Sequence, residues 1–385
     1  MKAKTNLTML CDFYQLTMAN GYFKTGLADQ IVYFDVFYRK NPDGGGYAVV
    51  AGLEQIVEYI QNLHFDEDDI AYLRSKNLFD EAFLDYLRTF RFTGDIWAVP
   101  EGTYVFPGEP LMIVRAPTIE AQFIETYVLM VINHESLIAT KASRLSRAAK
   151  GRTISEFGSR RAQGADAAIL GARAAYIGGV NNTACTISDE LYGVPASGTM
   201  AHAWVQMFDD ELTAFRNYCQ LYPHNATLLV DTYNVLKSGV PDAIRAFNEV
   251  LRPLGITKCG IRLDSGDIAY FSKKARKMLD DAGLTDASVS TENQGNINRS
   301  LCMFSPDISH HVQEIMKVKK DADYEKNIAK YDIWLLIMHE EITESDNNNS
   351  AYNDYYQNLM YSSYYNNMMY DPYGYGYGYG GYGGY

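Results

Sequence analysis

Residues 258–267 read KCGIRLDSGD. Gly260 to Leu263 form a short apolar run, long enough for a buried strand, with one arginine set inside it. The run stops in a polar cluster, Asp264-Ser265-Gly266-Asp267, and the next residues, IAYFSKKARKML, carry apolar positions at helical spacing. Strand, polar turn and helix make one βα unit. The same cadence recurs upstream in RTISEFG (152–158), VPASGT (194–199) and TLLVDT (227–232). Successive units are spaced by roughly 30 to 40 residues, which predicts an α/β fold built from repeated βα units. In a barrel the polar strand ends would share one mouth; an open doubly wound sheet would show a similar rhythm, and the barrel fits slightly better.

Upstream of the repeat the texture is different. IVYFDVFYRKNPDGGGYAVVAGLEQIVEYIQNL (31–63) reads as strand, Gly-rich turn, strand and helix. FTGDIWAVPEGTYVFPGEPLMIVRAP (92–117) has β-rich runs broken by Pro-Glu-Gly and Pro-Gly-Glu turns. Residues 119–151 predict one or two long helices ending at Gly151. From 291 the unit rhythm stops. Residues 346–385 are Tyr/Asn/Gly low complexity with few aliphatic side chains to bury, and disorder is the expectation there.

Composition narrows the function classes. The chain has 385 residues, 47% of them apolar, and a net charge of −13 without a basic run, which argues against nucleic acid as the main partner. Cysteines 11, 185, 219, 259 and 302 form no CxxC pair, so the expectation is a reducing compartment with no protein-built metal cage. No apolar run approaches the ~18 residues of a membrane span and the amino-terminal residues lack a signal core, which predicts a soluble cytoplasmic protein with no membrane partner.

The polar strand ends supply the candidate site residues. Asp264, Ser265 and Asp267 suit a divalent cation or sugar hydroxyls, and equally suit the N-cap of the following helix. Asp231-Thr232 repeats that arrangement one unit earlier, with the same two readings. Arg160 and Arg161 follow a Gly-Ser corner, where guanidinium forks could hold phosphate or carboxylate or simply face solvent. Together with Lys141, Arg144, Arg147 and Arg152 they make a local positive field inside an acidic chain. His202 begins a helix just after the Gly198-Thr199 corner, as a reactive imidazole or a structural one. Tyr14 lies on an amphipathic stretch and could present its ring to a planar ligand or to the core.

Taken in order, DFYQLTMANGYF (12–23), FYRKNP (37–42), PEG (100–102), ATKASRLSRAA (139–149), EFGSRRAQG (156–164), GTMAHAWV (198–205), LLVDTYNVLKSG (228–239) and GIRLDSGD (260–267) closely resemble the nicotinate phosphoribosyltransferases. The resemblance covers about residues 8–290, roughly three quarters of the chain, and implies a type II phosphoribosyltransferase: an N-terminal α/β domain packed on an irregular α/β barrel, as a homodimer. It implies that nicotinate and phosphoribosyl pyrophosphate give nicotinate mononucleotide and pyrophosphate, with coupled ATP hydrolysis, on the route to NAD. Carried over by motif, His202 would be phosphorylated by ATP. Tyr14, Thr199 and Arg262 would contact nicotinate, Arg262 through its carboxylate, and Arg160 would help hold substrates. Asp231, Asp264 and Asp267 would lie near the ribose and the Mg²⁺-pyrophosphate, the Mg²⁺ held through pyrophosphate rather than by a dedicated protein site. These readings divide the chain into an N-terminal domain (1–140), a barrel portion (141–290), a divergent segment (291–345) and the low-complexity tail (346–385). The family's Gly-x-Gly-Thr loop for the 5′-phosphate has no match: residues 320–325 read KDADYE. A catalytically impaired relative or scaffold is therefore a second expectation, and the amide of nicotinate as substrate a third. The barrel is incomplete if 291–345 adds no strands.

Overall fold

The computed structural model describes residues 6–292 together with two short strands, Cys302–Phe304 and Trp334–Leu335. The expectations for the remainder of 291–345 and for 346–385 lie outside the described residues.

The amino-terminal layer starts with α1 (Phe13–Thr25), where the Gln15 side chain accepts from the Asp12 backbone N–H at 3.1 Å. The Gly-rich turn separates β1 (Ile31–Phe37) from β2 (Ala48–Val49), and α2 (Leu53–Gln61), α3 (Glu67–Ser75) and α4 (Glu81–Thr89) follow. The Pro-Glu-Gly and Pro-Gly-Glu turns then divide β3 (Asp95–Ala98), β4 (Tyr104–Val105) and β5 (Pro110–Pro117). β1, β3 and β5 form an antiparallel sheet, while β2 and β4 pair as a separate ribbon. Phe83, Leu84, Leu87, Ile70, Leu73 and Phe123 are fully buried beneath this layer. Each such side chain contributes about 1.5–3 kcal/mol relative to exposure. The long helical stretch is two helices, α5 (Thr118–Phe123) and α6 (Glu125–Ala149), and residue 140 falls inside α6.

The repeated units follow: β6 (Ser155–Glu156), α7 (Ala165–Ile177), β7 (Asn182–Thr183), α8 (Thr186–Tyr192), α9 (His202–Gln206), α10 (Glu211–Leu221), β8 (Thr227–Leu229), α11 (Val240–Ala246), β9 (Gly260–Leu263), α12 (Ile268–Asp281) and β10 (Ser288–Glu292). With β11 (Cys302–Phe304) they form one sheet in the order β7-β6-β11-β10-β9-β8, and β12 (Trp334–Leu335) joins the amino-terminal sheet beside β1. β6 runs parallel to β7, and β8, β9 and β10 run parallel to one another; β11 is antiparallel to both its neighbours. Strands β6 to β10 therefore all point the same way, and their carboxyl ends share one edge. VPASGT adds one parallel bridge, Ala196 to Thr183, instead of the strand its position in the repeat suggests. Pro195 lacks the N–H that a ladder needs, which accounts for the shortfall. Among the described residues no ladder joins Ala196 to β8, so the strand order is that of a barrel with one open seam.

Two glycines set the spacing inside this layer. A Cβ on Gly260 would stand 2.2 Å from Ser288 Oγ across the β9–β10 pair, and one on Gly239 would stand 1.9 Å from the Val230 carbonyl oxygen. A larger residue at position 239 would push the turn leading into α11 away from Val230, the residue before Asp231.

Candidate active site

β8 and β9 pair in register, with Thr227 opposite Gly260 and Leu229 opposite Arg262. The two strands thus end in step, and the acids that follow, Asp231 and Asp264, arrive side by side. Asp231 Oδ2 accepts from the Asp264 backbone N–H at 3.0 Å and from Ser265 Oγ at 2.6 Å. Its role as a cap is taken by Asn234, whose side chain accepts from Lys237 N–H at 2.9 Å.

Arg262 is buried in β9 and aims along the same edge. One guanidinium nitrogen donates to Thr199 Oγ1 at 3.1 Å and to the Met200 carbonyl at 3.4 Å; the other donates to Asp264 Oδ2 at 3.1 Å. His202 opens α9 from the facing loop. Its Nδ1 lies 3.1 Å from Thr232 Oγ1, and its Nε2 lies 3.9 Å from Asp264 Oδ2. Three chain segments therefore bring Thr199 and His202, Asp231 and Thr232, and Arg262 and Asp264 into one connected cluster.

The remaining candidates sit apart from this cluster. Asp267 caps α12, its Oδ1 accepting from Tyr270 N–H at 2.9 Å, so the capping geometry is present at this acid. Arg160 is exposed on the turn Ser159–Arg161, just beyond the carboxyl end of β6. Tyr14 lies on α1 and donates to Glu125 Oε2 at 3.0 Å. Burial, reinforced by the Glu125 carboxylate, pushes its phenol above the ordinary range. Among the described residues no contact links Tyr14 or Arg160 to the His202–Arg262 cluster.

Phe157 and Glu156 of this edge are not among the sequence candidates, and Thr232 is named there only beside Asp231, with no role of its own. Thr232 carries the contact to His202, and Phe157 stands with its ring centroid 5.7 Å from the Arg262 guanidinium carbon. Glu156 is buried at the end of β6, where Thr183 Oγ1 donates to it at 2.7 Å and burial pushes its carboxyl upward. All three adjoin polar strand ends, and that adjacency was the available signal.

The edge also carries two buried oxygens, Asp231 Oδ1 and Asp264 Oδ1, with no hydrogen-bond partner among the described residues. Buried acceptors of this kind are costly unless a donor or a cation meets them. No group of three or more His, Cys, Asp or Glu side chains among the described residues is placed to hold a metal ion unaided. Two carboxylate oxygens do fit a Mg²⁺ ion that brings phosphate oxygens and water as its other ligands.

A parallel α/β sheet with a polar cluster at its carboxyl edge, behind an amino-terminal α/β layer, places the chain in the fold of structurally known phosphoribosyltransferases. It superposes on the crystal structure of human nicotinic acid phosphoribosyltransferase with a TM-score of 0.67 and 30% identity, covering 72% of this chain and 67% of that one. Residues 9–133 match the nicotinate phosphoribosyltransferase N-terminal domain model. Nicotinate phosphoribosyltransferase of Bacillus subtilis is 43% identical over 329 residues, 86% of this chain and 62% of that protein; one from Arabidopsis thaliana is 36% identical over 322 residues, 70% and 57% respectively. The chain belongs to the nicotinate phosphoribosyltransferase family. It spans about three fifths of the length of these curated relatives. No helix among the described residues is long and apolar enough to cross a membrane.

Proposed function

We propose that this chain is a nicotinate phosphoribosyltransferase, converting nicotinate and phosphoribosyl pyrophosphate to nicotinate mononucleotide and pyrophosphate, with ATP as co-substrate. The observation that carries this reading is Arg262: a buried guanidinium joined to Thr199 and Asp264 at the edge where His202 also lies. A buried cation of this kind favours a carboxylate ligand over its amide, so nicotinate is preferred to nicotinamide. Phe157, beside Arg262, offers the pyridine ring an apolar face.

In the proposed reaction the pyridine nitrogen forms a bond to C1 of the ribose as the C–O bond to pyrophosphate breaks. The residues supply orientation and charge rather than covalent chemistry at that step. Arg262 and Thr199 fix the ring, and the unpartnered oxygens of Asp231 and Asp264 meet ribose hydroxyls or the Mg²⁺ ion. Mg²⁺, when bound, neutralises the departing pyrophosphate. His202 accepts the γ-phosphoryl group of ATP, releasing ADP, and water later cleaves the N–P bond, releasing inorganic phosphate and restoring the imidazole; this couples ATP to substrate binding. Thr232 holds the imidazole at Nδ1, and Nε2, 3.9 Å from Asp264 Oδ2, is left to take the phosphoryl group. Arg160 and Tyr14 act as further substrate contacts, Asp267 supports the loop, and the protein works as a cytoplasmic homodimer.

The direct test supplies nicotinate, phosphoribosyl pyrophosphate, Mg²⁺ and ATP and measures nicotinate mononucleotide. His202→Ala is expected to lose all acid-labile phosphate incorporated from γ-labelled ATP while retaining wild-type circular dichroism. Equal labelling of the variant would remove His202 from the mechanism. The KDADYE stretch at 320–325 favours a second reading, a catalytically impaired relative without a 5′-phosphate loop. Absence of product together with absence of phosphoribosyl pyrophosphate binding in calorimetry would select it.

A further inference from the structure

A cavity lies at the edge of the sheet opposite the His202–Arg262 cluster. Its volume is about 360 Å³, and its lining includes Val49, Tyr104, Ser143, Ser146, Arg147 and Ile177. α6 ends at Ala149 before β6 begins at Ser155, and α7 ends at Ile177 before β7 begins at Asn182. The cavity therefore adjoins the amino-terminal ends of β6 and β7, whereas His202, Asp231, Arg262 and Asp264 gather beyond the carboxyl ends of parallel strands.

The chemistry of the lining is specific. Arg147 has no carboxylate partner among the described residues and hydrogen-bonds Tyr104. Its guanidinium carbon instead stands 4.9 Å from the Tyr47 ring centroid and 5.1 Å from that of Tyr104. Those two rings meet edge to face at 4.8 Å, and Tyr47 Oη lies 3.3 Å from Ser143 Oγ. Ser146 Oγ is buried without a hydrogen-bond partner among the described residues. A cation without a carboxylate partner among the described residues, a buried hydroxyl and the Tyr104 ring around a pocket of small-ligand size are complementary to an anionic group carried on a planar ring. Val49 and Ile177 give the floor an apolar surface that inorganic phosphate alone would leave uncovered.

We propose that this cavity is a second ligand site, separate from the candidate active site, and that it takes a phosphate monoester of a planar heterocycle, the nucleoside monophosphate class. The phosphate pairs with Arg147 and Ser146, and the ring lies against Tyr104.

The test uses the full chain, with adenosine 5′-monophosphate and inorganic phosphate as probes, in calorimetry and ligand-observed NMR. Adenosine 5′-monophosphate is expected to saturate below millimolar concentration and to bind at least about tenfold more tightly than phosphate. Arg147→Gln is expected to weaken it at least about tenfold. Ser146→Leu, which fills the cavity and leaves the cation in place, should do the same; Arg262→Gln should leave it unchanged. Binding that survives both cavity substitutions, binding lost only with Arg262→Gln, affinity no better than that of phosphate, or no saturable binding would each overturn the proposal. None of these readouts depends on turnover, so the outcome is independent of the catalytic reading.

Discussion

Arg262→Gln is expected to weaken nicotinate binding by at least about a hundredfold, roughly 2.8 kcal/mol, while leaving nicotinamide binding much less affected. The wild-type side chain is buried and forks between Thr199 and Met200 on one side and Asp264 on the other. A glutamine cannot supply a formal charge to a ligand carboxylate, nor span both partners. The same change leaves Asp264, itself mostly buried, without its cation, and breaking a buried pair typically costs about 3–5 kcal/mol of stability. Urea unfolding must therefore accompany calorimetry. The double variant Arg262→Gln with Asp264→Asn removes the stranded charge and should regain stability without regaining nicotinate affinity. Arg262→Lys keeps the charge but loses the planar fork, so it should fall between wild type and glutamine. Wild-type nicotinate affinity in folded Arg262→Gln would sink the substrate assignment.

Much of this site was legible because β-strand register is a local property. TLLVDT and GIRLDSGD each place an acid at a strand end, and in-register pairing of β8 with β9 puts Asp231 beside Asp264. Other features depend on the third dimension. Nothing in the spacing of DTYN says that Asn234 caps the helix while Asp231 reaches across to the next loop. Nothing in VPASGT says that its pairing shrinks to one bridge, although Pro195 was a warning. Phe157 looked like an ordinary strand residue until β9 brought Arg262 near its ring. Tyr14 resembles a site residue by motif, yet its contact is with Glu125 on the adjoining helix. Asp267 carried two readings in the sequence, and its bond to Tyr270 N–H fixes the local geometry.

The largest stability effect is expected at a residue the motifs did not single out. Arg173, on α7, pairs with Glu54 on α2, Glu101 in the Pro-Glu-Gly turn and Glu135 on α6, so one guanidinium joins the amino-terminal layer to the first βα unit. Glu101 also accepts from the Gly52 and Leu53 N–H groups at 2.7 and 3.0 Å, fixing the start of α2. Arg173→Met should cost about 3–5 kcal/mol at neutral pH, because the largely buried Glu101, kept ionised by Arg173, loses its cation. Burial, opposed by Arg173, already pushes the Glu135 carboxyl up from 4.5 to about 8. A folded-state pKa above the unfolded one means that the native state holds the proton more tightly. This group's penalty is thus absent below about pH 4.5, grows as pH rises toward 8, and is complete above that. Glu101 has the opposite sign: burial raises its carboxyl, but Arg173 outweighs burial and holds it below the ordinary value, so its contribution is lost as pH falls into the acid range. Removing Arg173 should abolish the Glu101 term and enlarge the Glu135 term. The variant would then go on losing stability as pH rises past 8, where the wild-type penalty is already complete, and Glu135→Gln in the same background would remove that further loss. Denaturant unfolding of the three proteins from the acid range to above pH 8 measures both effects, and parallel curves for wild type and Arg173→Met would show that the guanidinium does not hold the two layers together electrostatically.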